Sequence, residues 1–200
     1  MEKLGYRIKD QSKPHFMTFT IVKWIDVFSR KVYKDLIVDN LNYCVKHKGL
    51  IIYGYVIMSN HIHLIIKSEE NDLSGLVRDF KKFTSKALIK KIHSSKESRS
   101  QWILELFRQS AMTHSRNKTY QIWRNGNHPE EVYSMKFLWS KLDYIHLNPV
   151  RAGIVEKASE YIYSSAKNYV FDSGIVDVTP VDNPVVDTQK SDSFWRSIQW

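Results

Sequence analysis

Apolar positions recur along this chain at two spacings, every second residue and every three to four, and their order lays out the elements. His15-Phe16-Met17-Thr18-Phe19-Thr20-Ile21-Val22 is aromatic and β-branched, the composition of a first strand. Residues 1–13 read as a loose polar arm and 23–32 as a connection. From Val32 to His47, Leu36, Ile37, Val38, Leu41 and Val45 fall at helical intervals, and Gly49 supplies a stop after the cationic turn Lys46-His47-Lys48. Gly54 to Ile66 is nearly continuous in apolar residues, broken by Ser59-Asn60, a two-residue turn, so residues 50–67 form a hairpin. A second helix follows, capped by Asn71 or Asp72, with Leu73, Leu76, Val77, Phe80, Ala87, Leu88 and Ile92 in one stripe.

Beyond it the Ser/Lys-rich run 93–100 is a loop, Trp102 to His114 a short helix, and 115–119 a polar loop. Tyr120-Gln121-Ile122-Trp123-Arg124 reads as a last strand, and Asn125-Gly126-Asn127-His128-Pro129 as a turn. A helix runs from about Pro129 or Ser134 to Asn148, where Pro149 ends it. Residues 150–170 make a turn and a short helix. From Asp172 to Ser193 aromatic content is low and aspartates are regularly spaced, which predicts a mobile tail. Strand, helix, strand, strand, helix, strand is the order of an α+β, ferredoxin-like antiparallel sheet with helices on one face and the other face free.

The hairpin places chemistry on that free face. Ile62, Leu64 and Ile66 alternate with His61 and His63, and the apolar set must cover the core. Both imidazoles then stand together on the opposite face. By spacing alone they read equally as half-exposed polar residues or as a pair that holds a divalent ion.

The balance of charge narrows the partners. Thirty Lys and Arg against 21 Asp and Glu give a net charge of +9, which favours a polyanion such as nucleic acid. On the second helix Arg78, Lys81, Lys82, Lys86, Lys90 and Lys91 face only Asp79, a lopsided stripe that favours a phosphate-facing surface over a merely solvated one. The single cysteine, Cys44, rules out an internal disulfide. No apolar run approaches a membrane span, and no signal peptide is evident, so a cytoplasmic protein is expected.

The helix ending near Asn148 carries a second candidate. Met135, Leu138, Leu142 and Ile145 share one narrow arc of its wheel, and Tyr144 lies about 150° from the centre of that arc. Asn148 stands one turn further along on the same side, and Lys141 one turn before. A phenol between an amide and an ammonium can face an ion and a phosphate.

Two stretches together resemble a known family. Tyr55-Val56-Ile57-Met58-Ser59-Asn60-His61-Ile62-His63-Leu64-Ile65 resembles the His-hydrophobic-His hairpin of the HUH endonucleases, in the form found in single-tyrosine transposases. Asp143-Tyr144-Ile145-His146-Leu147-Asn148-Pro149-Val150-Arg151-Ala152-Gly153, followed by Tyr163-Ser164-Ser165, resembles the tyrosine helix of REP-associated tyrosine transposases and their insertion-sequence relatives. The similarity spans about residues 14–170, which implies an HUH transposase domain over 1–170 and a C-terminal tail over 171–200.

The resemblance implies an RRM-like fold with a C-terminal catalytic helix. It also implies a single-stranded DNA substrate with hairpin structure and a covalent 5′-phosphotyrosine intermediate. By position, His61 and His63 match the metal pair, Asn148 the third ligand and Tyr144 the nucleophile, with Mg²⁺ or Mn²⁺ as the ion. Arg78, Lys81, Lys82, Lys86, Arg124 and Lys141 are the expected DNA contacts. Arg124 departs from the family pattern, in which a glutamine commonly follows the tryptophan. The resemblance leaves monomer and homodimer open, because the tyrosine helix of dimeric relatives can serve the partner's histidines. Two other readings stand beside it: a non-catalytic RRM-like module for single-stranded nucleic acid, and a hydrolytic nuclease using metal-bound water.

Overall fold

The computed structural model describes residues 7–95, 97–113 and 119–182. Four strands form one sheet: β1 (His15–Thr20), β2 (Leu50–Ile57), β3 (His61–Ser68) and the short β4 (Glu130–Glu131). Their order across the sheet is β2-β3-β1-β4, and every pairing is antiparallel. This is the ferredoxin-like arrangement, an α+β fold. The helices are α1 (Lys31–Lys48), α2 (Leu73–Ser94), α3 (Ser100–Met112), α4 (Met135–Arg151) and α5 (Ala166–Phe171).

Strand alternation assigns the two faces. Met17, Phe19, Ile62, Leu64 and Tyr55 point towards α1 and α2, and all are sealed there with Tyr33, Ile37, Leu41 and Leu88. Phe16, Thr18, His61, His63 and Ile65 point the other way. α1 ends at Gly49, whose φ of +61° lets its N–H return to Cys44. α2 begins at Asp72, whose carboxylate accepts from Gly75 N–H at 2.9 Å.

The second face is not free. α4 lies over β2 and β3, and β2 is built to receive it. A bulge between Ile52 and Gly54 shifts the register there. A Cβ at Gly54 would come within 2.5 Å of Leu142 Cδ2, so glycine is what allows the helix to sit this close to the sheet. The free-face expectation therefore holds only for the part of the sheet beyond α4.

Three further expectations are corrected. The fourth strand is not a continuous run over 120–124. Ile122 and Trp123 pair with the far end of β1, where Val22 N–H donates to Ile122 O at 2.8 Å and Arg124 N–H to Thr20 O at 2.7 Å. Glu130 and Glu131 pair with its near end. Between them Gly126 (φ +82°), His128 (φ +43°) and Pro129 push the chain out of the ladder.

The tyrosine helix continues three residues past Asn148. Pro149 lies inside its last turn, Ala152 N–H still reaches Asn148 O, and Gly153 (φ +68°) follows the end. The helix starts at Met135, capped by the Ser134 hydroxyl.

The expected tail is docked between Ile175 and Val181. Val176 is buried, Asn42 grips Ile175 O and Asp177 N–H, and Thr179 N–H donates to Ile52 O at 2.8 Å. Together with Tyr163 and Ser165, which bond Ile57 and Tyr55, these residues cover the outer edge of β2. Residues 183–200 lie outside the described residues, as do 1–6 of the expected arm and His114 with the loop 115–118. No helix among the described residues is long and apolar enough to cross a membrane.

Candidate active site

The site forms where β3 passes beneath α4. His61 and His63 stand two residues apart on β3, their rings 4.7 Å apart and nearly perpendicular. Each ring is held by a second residue. Asn60 donates through Nδ2 to Trp24 O at 3.3 Å, so its Oδ1 is the atom 2.6 Å from His61 Nδ1. That oxygen can only accept, which puts the proton on His61 Nδ1 and leaves the Nε2 lone pair available. His63 Nδ1 shares a 2.8 Å hydrogen bond with Thr18 Oγ1, its direct partner across the β1–β3 ladder. Phe16, two residues earlier on β1, stacks on the His63 ring at 5.5 Å.

His63 is 5% exposed, and its Nε2 is buried without a hydrogen-bond partner. Burial, the neighbouring His61 and the Lys141 ammonium push its pKa down to about 3. Burial lowers His61 as well. Both imidazoles are therefore neutral at physiological pH, the state in which they ligate. An orphaned buried nitrogen is costly unless something other than the protein satisfies it, so this donor pair fits a divalent ion. No cluster of three His, Cys, Asp or Glu side chains with metal-site spacing occurs among the described residues.

α4 brings Tyr144 to the histidines of its own chain. The phenol ring lies 5.1 Å from His63 and 6.1 Å from Phe16, edge-on to both, and is 41% exposed. Asn148 is half-buried one turn along. Lys141, one turn before, spreads its ammonium over Phe16 at 4.4 Å and over Phe137 at 5.0 Å, and pairs with Glu130 at 2.8 Å. Sealed apolar contact on the opposite side fixes α4 in this pose. His146 is fully buried, bonds Ser165 Oγ at 2.8 Å and is pushed to about 3 by burial. The Ser165 hydroxyl in turn accepts from Tyr55 N–H at 2.9 Å, which ties α4 to β2.

The expected cationic contacts divide. Lys141 belongs to the site. Arg124 is exposed beyond the end of β1. Lys81 is committed elsewhere, its ammonium bonding Arg124 O at 3.1 Å and Asn127 Oδ1 at 2.7 Å over the Phe19 ring. Burial lowers it to about 8. Arg78, Lys82 and Lys86 stand on the helical side of the sheet, and the last two line a groove with Tyr43 and Phe83 rather than the histidine site. Thr18, Phe16, Asn60 and Glu130 were not singled out by sequence reasoning. Strand alternation could have found the first two, had the β1–β3 register been known.

Residues 9–118 match the family model described as transposase IS200-like, so the chain belongs to the IS200-like transposase family, a family of DNA transposases. The matched stretch contains both histidines and ends before Tyr144. Among solved structures, that of a REP-associated tyrosine transposase bound to a REP hairpin is similar, with a TM-score of 0.59 and 17% identity over 91% of this chain and 96% of that one. At that identity the likeness establishes the fold. No curated protein matches the chain.

Proposed function

We propose that the chain cuts and rejoins single-stranded DNA through a covalent phosphotyrosine at Tyr144. The observation that carries the reading is the meeting of Tyr144 and His63, from distant parts of one chain, at 5.1 Å between ring centres. The phenol oxygen attacks the scissile phosphorus, the P–O3′ bond breaks, the phenolic proton passes to solvent, and a free 3′-hydroxyl leaves. A 3′-hydroxyl then attacks the phosphotyrosine and restores the phenol. Because the phosphodiester is exchanged rather than hydrolysed, no external energy source is needed.

His61 and His63 through Nε2, with Asn148, would hold Mg²⁺ or Mn²⁺. Such an ion, when bound, polarises a phosphate and offsets its developing charge. Lys141 gives the phosphate a cation close to the phenol, and exchange of Glu130 for a phosphate oxygen would free it. Exposed Arg124 extends the same side. Arg78, Lys82 and Lys86 would serve a more distant stretch of the polyanion, such as the stem of a hairpin. Lys81 holds the 124–127 loop in place. The approach of Tyr144 to His63 of the same chain supports a site assembled within one protomer, whether the protein acts as a monomer or a homodimer.

The test is a denaturing-gel adduct assay with hairpin-bearing oligonucleotides from the flanks of its own gene. A covalent species should form with Mg²⁺ or Mn²⁺, disappear with EDTA, and be absent from Tyr144→Phe, which should still bind DNA. An adduct formed by the Phe variant would overturn the assignment. Metal-independent binding without any adduct would favour the non-catalytic module, and free 5′ ends released by the Phe variant would favour a hydrolytic nuclease.

A further inference from the structure

Trp24 has no role in the reading above, yet its setting is constrained. Lys23 and Trp24 are consecutive residues with left-handed backbone, φ +53° and +56°. Bulky L residues rarely adopt this region, and such strain persists only where the surroundings impose it. Three hydrogen bonds do so. Trp24 N–H donates to Ile21 O at 3.1 Å, Ile25 N–H to Val22 O at 3.3 Å, and Asn60 Nδ2 to Trp24 O. The result is an indole that is 56% exposed, so burial in the core does not account for it. Its ring stands 6.2 Å from His61, edge-on, at the rim of the site. Asn60 joins the two. One end of its amide orients His61 and the other holds the backbone that presents Trp24.

We infer that Trp24 is the stacking platform for one unpaired base beside the scissile phosphate. The inference rests on the site being one for single-stranded DNA. Any base offers a π-face to an indole, so such a platform tolerates sequence while fixing the strand in place. Placed next to His61, it sets which phosphate lies under Tyr144. Trp24 is thus a positioning residue, with Asn60 keeping platform and imidazole in one frame.

The experiment uses the full chain with Tyr144→Phe, so that binding is read without cleavage. The probe is a hairpin oligonucleotide from the flank of its gene, with an abasic residue placed at each single-stranded position in turn. One position should weaken binding roughly tenfold, within the range for loss of a single stacked base. Trp24→Ala on the same background should bind the intact probe about tenfold more weakly and become indifferent to the abasic residue at that position. Trp24→Phe should restore most of the loss, and Phe171→Ala, which removes an exposed ring from the end of α5, should change nothing. A uniform loss across all positions, or unchanged binding by Trp24→Ala, overturns the platform.

Should Trp24→Ala fail to fold, 2-aminopurine at the sensitive position gives a second readout. Its fluorescence should be quenched on binding and less so by Trp24→Phe, and no quenching at any position overturns the inference. Because none of these readouts needs cleavage, the two proposals fail separately. Position-dependent stacking without an adduct in the Tyr144 chain removes the covalent reading and keeps the platform. An adduct without position dependence does the reverse.

Discussion

His63 and His146 are both shut away from solvent, and burial drives both to a pKa of about 3, yet their surroundings differ in kind. His146 sits inside α4 with its Nε2 on the Ser165 hydroxyl, and Ser165 is bonded onward to Tyr55 of the sheet. His63 likewise bonds one hydroxyl, but its ring stands beside a second imidazole and an exposed phenol, with its buried Nε2 outside any hydrogen bond. A lowered pKa is therefore no mark of a functional site by itself. The distinction lies in what stands next to the ring.

This contrast can be broken most directly by removing each ring. His63→Ala should lower adduct formation by at least about 100-fold, because loss of even an outer partner of a metal ligand typically costs 10–100-fold. His146→Ala should instead destabilise the fold by about 2–4 kcal/mol through a cavity and a lost hydrogen bond. Urea unfolding alongside the adduct gel separates the two. Equal losses of adduct with unchanged stability would erase the division.

Gly54→Ala addresses the seat of α4. The added methyl meets Leu142, so a loss of about 1–3 kcal/mol in urea unfolding is expected. A neutral result would mean the helix can shift without strain.

The acid side sharpens the comparison further. For His146 the folded pKa of about 3 lies below the unfolded value near 6.5, so the unfolded chain binds more protons in between. Its contribution is intact above pH 6.5 and falls by about 1.4 kcal/mol per pH unit as pH drops towards 3. Between pH 6.5 and 5, above the carboxylate range, His146→Gln should flatten the slope of stability against pH. An unchanged slope would place that proton uptake elsewhere.

The smallest effect is expected from the helical face. Lys82→Ala with Lys86→Ala should reduce the dependence of log affinity on log salt by about two, one for each lost phosphate contact. An unchanged salt slope would show that this face does not meet DNA.

Most of the frame was readable from residue patterns. The apolar stripes of α1 and α2, the alternation in β3 and the turn at Ser59-Asn60 are local signals, and the structure contains those elements. The wheel of α4 turned Tyr144 away from Leu142 and Ile145, and the structure puts its ring beside His63. What escaped was long-range. Nothing around Gly54 announces that a helix from residue 135 onward will press on it. The pairing of Glu130 with β1 depends on a bulge at 125–129 that looks like an ordinary turn. Val176 and Thr179 sit in a stretch of loop-like composition, and only the exposed edge of β2 explains their place. The basic stripe of α2 was visible as charge, but which side of the sheet it occupies follows from topology.

The bolt formed by His146, Ser165 and Tyr55, together with the bare backbone at Gly54, has a consequence for traffic through the site. On the proposed reading, a 5′ end joined to Tyr144 stays where α4 is fastened. The exchange between scission and resealing then falls to the 3′-hydroxyl strand, with the protein serving as a stationary vice.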